Sequence, residues 1–360
     1  MCYNYIRNSI KFVNFMKKIA IIGIGGRTGT MFAFELRNSA EILGVGRKEE
    51  IEKIREGKIY LERGKEETIR FTGKIIEERE FAGEIAPDFI FLCVKNPVGP
   101  AVKYYYQREK KDYNPPTTLP LAAGERAPKI PSLILSQNGI SAVEDAKKEL
   151  EKIFGEEAKE IRIIRVSLFN PISSERSDDE ITISYSLPIR LVFGVASGPR
   201  ETGDIKEIFQ KANIEIEKIS PENIKNMEYS KFFTNLVGMA SAAKRLSIRE
   251  GFEDREIFEE EIGALKEYIK VVKKNGGKFL NFRHYQIKFF VFLIYLLPLS
   301  ILKIFRKEIA KIITRGRGGK EKGNIDEIDY YNGAVIKLAE KLKIEATINR
   351  EIYKKIKTQL

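Results

Sequence analysis

Lys17-Lys18-Ile19-Ala20-Ile21-Ile22-Gly23-Ile24-Gly25-Gly26-Arg27-Thr28-Gly29 is the stretch that decides the fold. Ile19 to Ile22 is a short continuous apolar run, the pattern of a strand covered on both faces. It runs into the glycines, and the helix-like run Thr30 to Leu36 follows them directly. Strand, glycine turn, helix is the opening of a dinucleotide-binding fold. Gly23 suits the tight turn, and Gly25 has no side chain to hold a pyrophosphate away from the backbone. The helix start adds N–H groups and the positive end of its dipole. Cofactor contacts are therefore expected along Gly23, Ile24, Gly25, Gly26, Arg27 and Thr28. The third glycine of the pattern is displaced: Thr28 stands in its place, and Gly29 comes next.

The choice of nucleotide falls at the end of the second strand. An NAD site places an acid there to accept from the ribose 2′-OH. Here Glu41-Ile42-Leu43-Gly44-Val45 reads as that strand and ends in Gly46-Arg47-Lys48. Arg47 can bind a 2′-phosphate through two N–H groups, and Lys48 adds a second charge. The sequence thus favours NADP over NAD.

Composition narrows the rest. The chain has 360 residues, 63 basic and 51 acidic, with a net charge of +12. The charges are spread along it with no polybasic arm, against a dedicated nucleic-acid binder. Cys2 and Cys93 are the only thiols, so there is no disulfide framework, no metal-ligand cluster, and the cytoplasm is the expected compartment. The one histidine, His284 between Arg283 and Tyr285, reads as a surface or interface residue, which leaves proton chemistry to lysine or a carboxylate. Residues 1–15 read as a leader that is neither signal peptide nor strand.

From 16 to about 100 strand and helix alternate. Residues 88–94 form an apolar strand ending at Lys95, where ligands of open α/β sheets lie. The proline-rich stretch 107–131 reads as a surface loop. The strand 132–136 ends at Gln137-Asn138-Gly139, and 161–168, 181–186 and 189–195 read as further strands, antiparallel in part. After Ser220-Pro221 the pattern is helical almost throughout, with turns at Asn275-Gly276-Gly277 and from Gly316 to Gly323. The expected fold is α/β: a Rossmann-type dinucleotide-binding domain over 16–220 and an all-helical domain for substrate and catalysis over 221–360. Residues 289–302 are uncharged and broken by Pro298. They are too short to span a bilayer and read as a core or interface helix, with contact to a membrane surface as the alternative.

Two helical segments carry unusual polarity. In Tyr229 to Met239, Lys231 and Asn235 are four apart and share a face. In Asp326 to Ile336, Glu327, Tyr331 and Val335 line one side, and Asp326 is placed to cap a helix. These parts, in this order with the glycine loop at 23–29, Gly46-Arg47, Val94-Lys95, Gln137-Asn138-Gly139 and Glu327-Ile328-Asp329-Tyr330-Tyr331-Asn332-Gly333, resemble the ketopantoate reductase family, which reduces 2-dehydropantoate to pantoate with NADPH. The resemblance covers 16–360. It implies that Lys231 and Glu327 are the catalytic pair: Lys231 donates the proton, and Glu327 lies beside cofactor and substrate, where it could hold the lysine in register. Asn235 contacts substrate, and Asn138 lies near the nicotinamide and the substrate. Lys95 and Arg47 would lie near the cofactor's phosphate end.

There are departures. A second asparagine one turn after the first is replaced by Met239. The family's serine before the glutamate has no clear match; Arg315 falls nearest, beside Thr314. The expected partner is a small anionic 2-keto acid, with a homodimer as an option. Two alternatives remain: reduction of a different 2-keto acid on the same scaffold, and a non-catalytic NADP-binding protein that docks through 289–302.

Overall fold

The computed structural model describes residues 16–64, 68–81, 87–112, 130–177, 179–212, 214–314, 323 and 325–360. The leader at 1–15, the centre of the 107–131 loop, Arg315 and most of the glycine turn from 316 lie outside them. The first part of the chain runs β1 (Lys18–Ile22), α1 (Arg27–Leu36), β2 (Glu41–Gly46), α2 (Lys48–Arg55), β3 (Ile59–Arg63), β4 (Ile69–Arg70), β5 (Ile75–Glu77), β6 (Phe89–Leu92), α3 (Gly99–Asp112), β7 (Ser132–Leu135) and α4 (Ala142–Phe154). It continues with β8 (Ile163–Leu168), β9 (Ile172–Ser177), β10 (Glu180–Tyr185), β11 (Arg190–Ser197), α5 (Gly203–Lys211) and β12 (Glu215–Lys218). Eight strands form one sheet in the order β12-β11-β8-β7-β6-β1-β2-β5. From β5 to β8 it is parallel; β11 turns antiparallel to β8 and pairs in parallel with β12. The strand order reverses direction at β1 and β6, so the crevice outside their carboxyl ends is the expected ligand position.

The strands of this sheet that carry the site are apolar runs buried on both faces: Ile19 to Ile22, Phe89 to Leu92 and Leu133 to Leu135 are all inaccessible. Helix α3 extends to Asp112, so residues 107–112, taken from their polarity as loop, continue a helix. Of the second sheet, β4-β3-β10-β9, the sequence signals only β10, as the strand at 181–186. Its edge strand β9, Ile172-Ser173-Ser174-Glu175-Arg176-Ser177, is largely exposed and has too few apolar residues to alternate. A buried cluster anchors this sheet on α1. Arg63 donates to both carboxylate oxygens of Glu35 at 2.6 and 3.0 Å, and the Tyr185 hydroxyl donates to the same carboxylate at 2.6 Å.

After a 3-10 turn at Pro221–Asn223 the described chain forms helices, the first of which packs against β8 and β11. They are α6 (Ile224–Leu236), α7 (Met239–Ala243), α8 (Ile248–Glu253), α9 (Arg255–Lys274), α10 (Ile287–Leu296), α11 (Leu299–Ile304), α12 (Arg306–Thr314), α13 (Asn332–Lys341) and α14 (Thr347–Lys357). Ile325–Tyr330 is a 3-10 turn. Pro298 splits the apolar run into α10 and α11, and no helix among the described residues is long and apolar enough to cross a membrane.

The break between α6 and α7 has a definite cause. Gly238 sits at φ +95°, which is open to glycine at no steric cost. The buried Glu261 carboxylate of α9 then accepts from Gly238 N at 3.1 Å, Ser241 N at 2.8 Å and Ser241 Oγ at 2.7 Å. Burial outweighs these donors and pushes Glu261 up to about 7. A carboxyl whose pKa is raised by folding holds its proton more tightly in the folded chain. Its contribution is therefore greatest below the ordinary value of 4.5 and is lost as pH rises to about 7. Urea unfolding followed from pH 4 upward is expected to show this loss, on the order of 3 kcal/mol, and Glu261→Gln is expected to lack it.

Candidate active site

The glycine turn is built from backbone bonds to β2 and within the loop. Gly23 N and Ile24 N both donate to Val45 O, at 2.9 and 3.1 Å, and Gly26 N donates to Gly23 O at 3.1 Å. The side chain of Ile24 is buried in the core. The N–H groups left for an anion are those of the first turn of α1, at Arg27, Thr28 and Gly29. Gly29, rather than position 28, carries the third role of the motif. A Cβ there would lie 2.2 Å from Gly23 O, so the helix can sit this close to the turn only with glycine at 29.

The end of β2 differs from the simple reading. Arg47 caps α2 and donates to Glu50 Oε1 through Nη2 at 2.5 Å and Nε at 3.2 Å. The stem of Glu50 lies over the turn, where a Cβ on Gly25 would be 2.5 Å from Glu50 Cβ. An acid therefore does stand near the ribose end, four residues past the strand. Its signal was legible as the capping-box spacing Arg47 to Glu50. Lys48 is exposed and pairs with Glu52 at 3.8 Å.

A cleft of about 800 Å³ lies beside this turn. Arg27 and Thr28 of α1, Asn138 beyond β7, Lys231 and Asn235 of α6 and Tyr331 line it. Lys231 and Asn235 face the same way because they are one helical turn apart. Asn235 Nδ2 donates to Asn138 Oδ1 at 3.0 Å. Asn96 Nδ2 in turn donates to the Asn138 carbonyl. The Lys231 ammonium stands 4.9 Å from the centre of the Phe169 ring. Thr234, three residues from Lys231, also reaches the cleft; the helix spacing would have found it. Asn170, Ser173, Ser174 and Ser184 form a further polar wall, which nothing in the sequence signals.

Glu327 is buried, and its carboxyl is raised above the ordinary value by burial, against the pull of Lys95 and Arg27 and a hydrogen bond with Asn138. One contiguous group thus joins Asn235, Asn138, Glu327, Arg27 and Lys95. Lys95 also donates to Asp326 at 3.4 Å. Asp326 is therefore an ion-pair partner and not the helix cap it was expected to be: α13 begins at Asn332, after the 3-10 turn. Met239 is buried in the core of the helical half because the chain breaks at Gly238. Thr314 bonds back to Ala310 O at 2.7 Å at the end of α12. Cys93 is buried and its thiol is pushed up to about 12, which excludes it as a nucleophile at neutral pH. His284 lies away from the cleft, where its Nε2 meets Glu215 Oε1 at 2.6 Å.

The residues fit a dinucleotide. The α1 N-terminus supplies N–H groups, and the buried atoms Asn96 Oδ1 and Gln137 Oε1, at the ends of β6 and β7, have no protein partner. An amide donor of a ligand would satisfy such acceptors.

Under the site lies a buried ion pair. Arg165 Nε of β8 donates to Glu228 Oε1 of α6 at 2.7 Å. The same guanidinium donates to Leu135 O at 3.0 Å, Val166 O at 2.8 Å and Gln137 O at 2.5 Å.

Residues 223–359 match the family model described as ketopantoate reductase PanE/ApbA C terminal. No curated protein sequence matches the chain. Solved structures similar to it include a PanE/ApbA family ketopantoate reductase from Ralstonia eutropha JMP134, at 16% identity and TM-score 0.65, covering 95% of this chain and 97% of that one. D-mandelate dehydrogenase with NADH and anilino(oxo)acetate is similar at 15% identity and TM-score 0.66, covering 95% and 97%. A probable 2-dehydropantoate 2-reductase from Bacillus subtilis is similar at 14% identity and TM-score 0.61, covering 95% and 100%. At these identities the likeness establishes the fold over nearly the whole chain.

Removing one partner of the buried pair leaves an uncompensated charge. Glu228→Ala is expected to cost about 3–5 kcal/mol in urea unfolding. The double variant Arg165→Met/Glu228→Leu is expected to recover most of that loss.

Proposed function

We propose that this chain, whose residues 223–359 match the ketopantoate reductase C-terminal family model, is a pyridine-nucleotide-dependent reductase of a small 2-keto acid. The family is one of oxidoreductases acting on a keto or hydroxyl group. 2-Dehydropantoate is the substrate to test first and NADPH the favoured cofactor; a related 2-keto acid on the same scaffold is the alternative. The domain division proposed with it is 16–220 for the cofactor and 221–360 for substrate and catalysis.

The observation that carries this reading is the contact between Asn235 and Asn138 at 3.0 Å, because it brings the Lys231 face of α6 to the carboxyl edge of the sheet. The bound dinucleotide supplies the hydride. Lys231 attracts the carboxylate of the keto acid, holds the charge that develops on the keto oxygen, and gives that oxygen its proton. Asn235 orients the substrate, and Asn138 is shared between substrate and nicotinamide. Glu327 fixes Asn138 and sets the field around it. Arg27, Thr28 and the N-terminus of α1 hold the pyrophosphate, with Lys95 nearby.

NADPH is supported by Arg47, whose fork matches a 2′-phosphate. A second reading, NADH, is favoured by Glu50, which can accept from ribose hydroxyls in place of Arg47. Initial rates with NADPH and NADH over a panel of 2-keto acids decide between them. Lys231→Ala is expected to lower kcat by about 10² to 10⁴ while dinucleotide binding is retained. Arg47→Ser is expected to raise the KM for NADPH by about tenfold and leave that for NADH nearly unchanged. Wild-type rates with every keto acid in the Lys231 variant would falsify the assignment of the proton donor.

A further inference from the structure

The apolar segment at 289–312 lines no part of the cleft and is not explained by the reaction. Among the described residues, eleven large apolar side chains are exposed, and eight of them fall between 289 and 312. On α10, Phe289, Phe292, Tyr295 and Leu296 are 42–59% exposed, while Ile287, Val291 and Ile294 on the opposite face are buried against the core. The exposed face continues through Ile301, Ile304 and Phe305 at α11, with Ile304 at 75%. A contiguous apolar surface of this kind marks an interaction site.

Charge decides what covers it. From 287 to 314 the sequence has five cations, Lys288, Lys303, Arg306, Lys307 and Lys311, against the single acid Glu308. Lys303 pairs with Glu259 of α9 and Lys311 with Glu308, so the excess positive charge rests on Lys288, Arg306 and Lys307. Lys288 flanks the exposed face of α10 by helical spacing. Lys273 from α9 adds another cation over the Tyr295 ring, at 3.5 Å. A two-fold contact with a second copy would set this patch against itself and gather like charges round a shared apolar centre. An anionic lipid surface accepts the apolar side chains among its acyl chains and the cations at its headgroups.

We infer that α10 and α11 form an in-plane membrane-docking surface, with Phe292, Leu296 and Ile304 entering the bilayer boundary and Lys288 and Lys307 meeting anionic headgroups. Docking of this kind needs no spanning helix.

Flotation of the full chain with vesicles tests this, using phosphatidylcholine alone and mixed with phosphatidylglycerol. The chain is expected to float with the mixed vesicles, less with neutral ones, and less as salt rises. Phe292→Glu/Ile304→Glu is expected to cut vesicle binding by about tenfold or more. The melting temperature and dinucleotide binding should stay unchanged. Lys288→Glu/Lys307→Glu, which keeps the apolar face, is expected to weaken binding to the mixed vesicles alone. A wild-type chain that stays unbound with both vesicle types overturns the proposal. So does a concentration-dependent dimer that Phe292→Glu dissolves.

Discussion

The ion pair between Arg165 and Glu228 is the contact on which the candidate site depends. Arg165 stands on β8 and Glu228 on α6, and both are almost fully buried. Each would be costly alone. Burial raises the Glu228 carboxyl above its ordinary value even with the guanidinium against it. The pair is held because Arg165 spends its remaining donors on the carbonyls of Leu135, Val166 and Gln137. One guanidinium therefore fixes the end of β7, the edge of β8 and the start of α6 together. Such a pair contributes less to stability than an apolar replacement of equal volume could. What it supplies is register: Glu228 lies one turn before Lys231, so fixing Glu228 fixes the face that α6 turns to the sheet.

The cleft is closed from the other side by independent means. Glu35 is a charged residue in the last turn of α1, yet it is buried, because Arg63 and Tyr185 bring the small sheet down on it. That contact sets β9 and β10 across from α6. The cleft between them is then cationic at Lys231 and Arg27 and hydroxyl-rich at Ser173, Ser174 and Ser184. The break at Gly238 matters for the same reason. With α6 ended by Glu261, the position one turn beyond Asn235 leaves the cleft and enters the core. Met239 is apolar because it is buried there. The polar contacts near Asn235 come instead from Thr234 and the small sheet.

The central strands of the main sheet were legible from sequence because they are buried on both faces and so are written as unbroken apolar runs, whereas its edge strands β5 and β12, short and in β12 half-exposed, were not. The glycine turn was legible for a related reason: backbone approaching backbone leaves glycine as the only residue that fits, as at Gly29. The face shared by Lys231 and Asn235 followed from helical spacing alone. What could not be read was set by contacts distant in sequence. Strand β9 is polar, and only its pairing with β10 makes it a strand. Asp326 looks like a cap until the fold places Lys95 beside it. The exchange between Asn138, Asn235 and Glu327 joins three elements, and no local pattern announces it.

The ribose end of the site shows how fine the remaining balance is. Arg47 is exposed, so its pair with Glu50 is worth about 0–1 kcal/mol and is easily exchanged. A 2′-phosphate brings close to two charges and a bidentate match, more than Glu50 offers Arg47. Glu50 would not be stranded by that exchange. It lies in the first turn of α2, where the helix dipole favours an acid, and its carboxylate also accepts from the Arg47 backbone N–H at 3.2 Å. The cost of NADPH is thus the repulsion between its phosphate and a carboxylate that stays near, screened by solvent at an open edge. NADH avoids that repulsion and gains a hydrogen bond from ribose to Glu50, but leaves Arg47 with only its weak surface partner. The side chain that sets the preference is therefore Glu50 as much as Arg47: Arg47 acts on the 2′-phosphate alone, and Glu50 acts on both nucleotides.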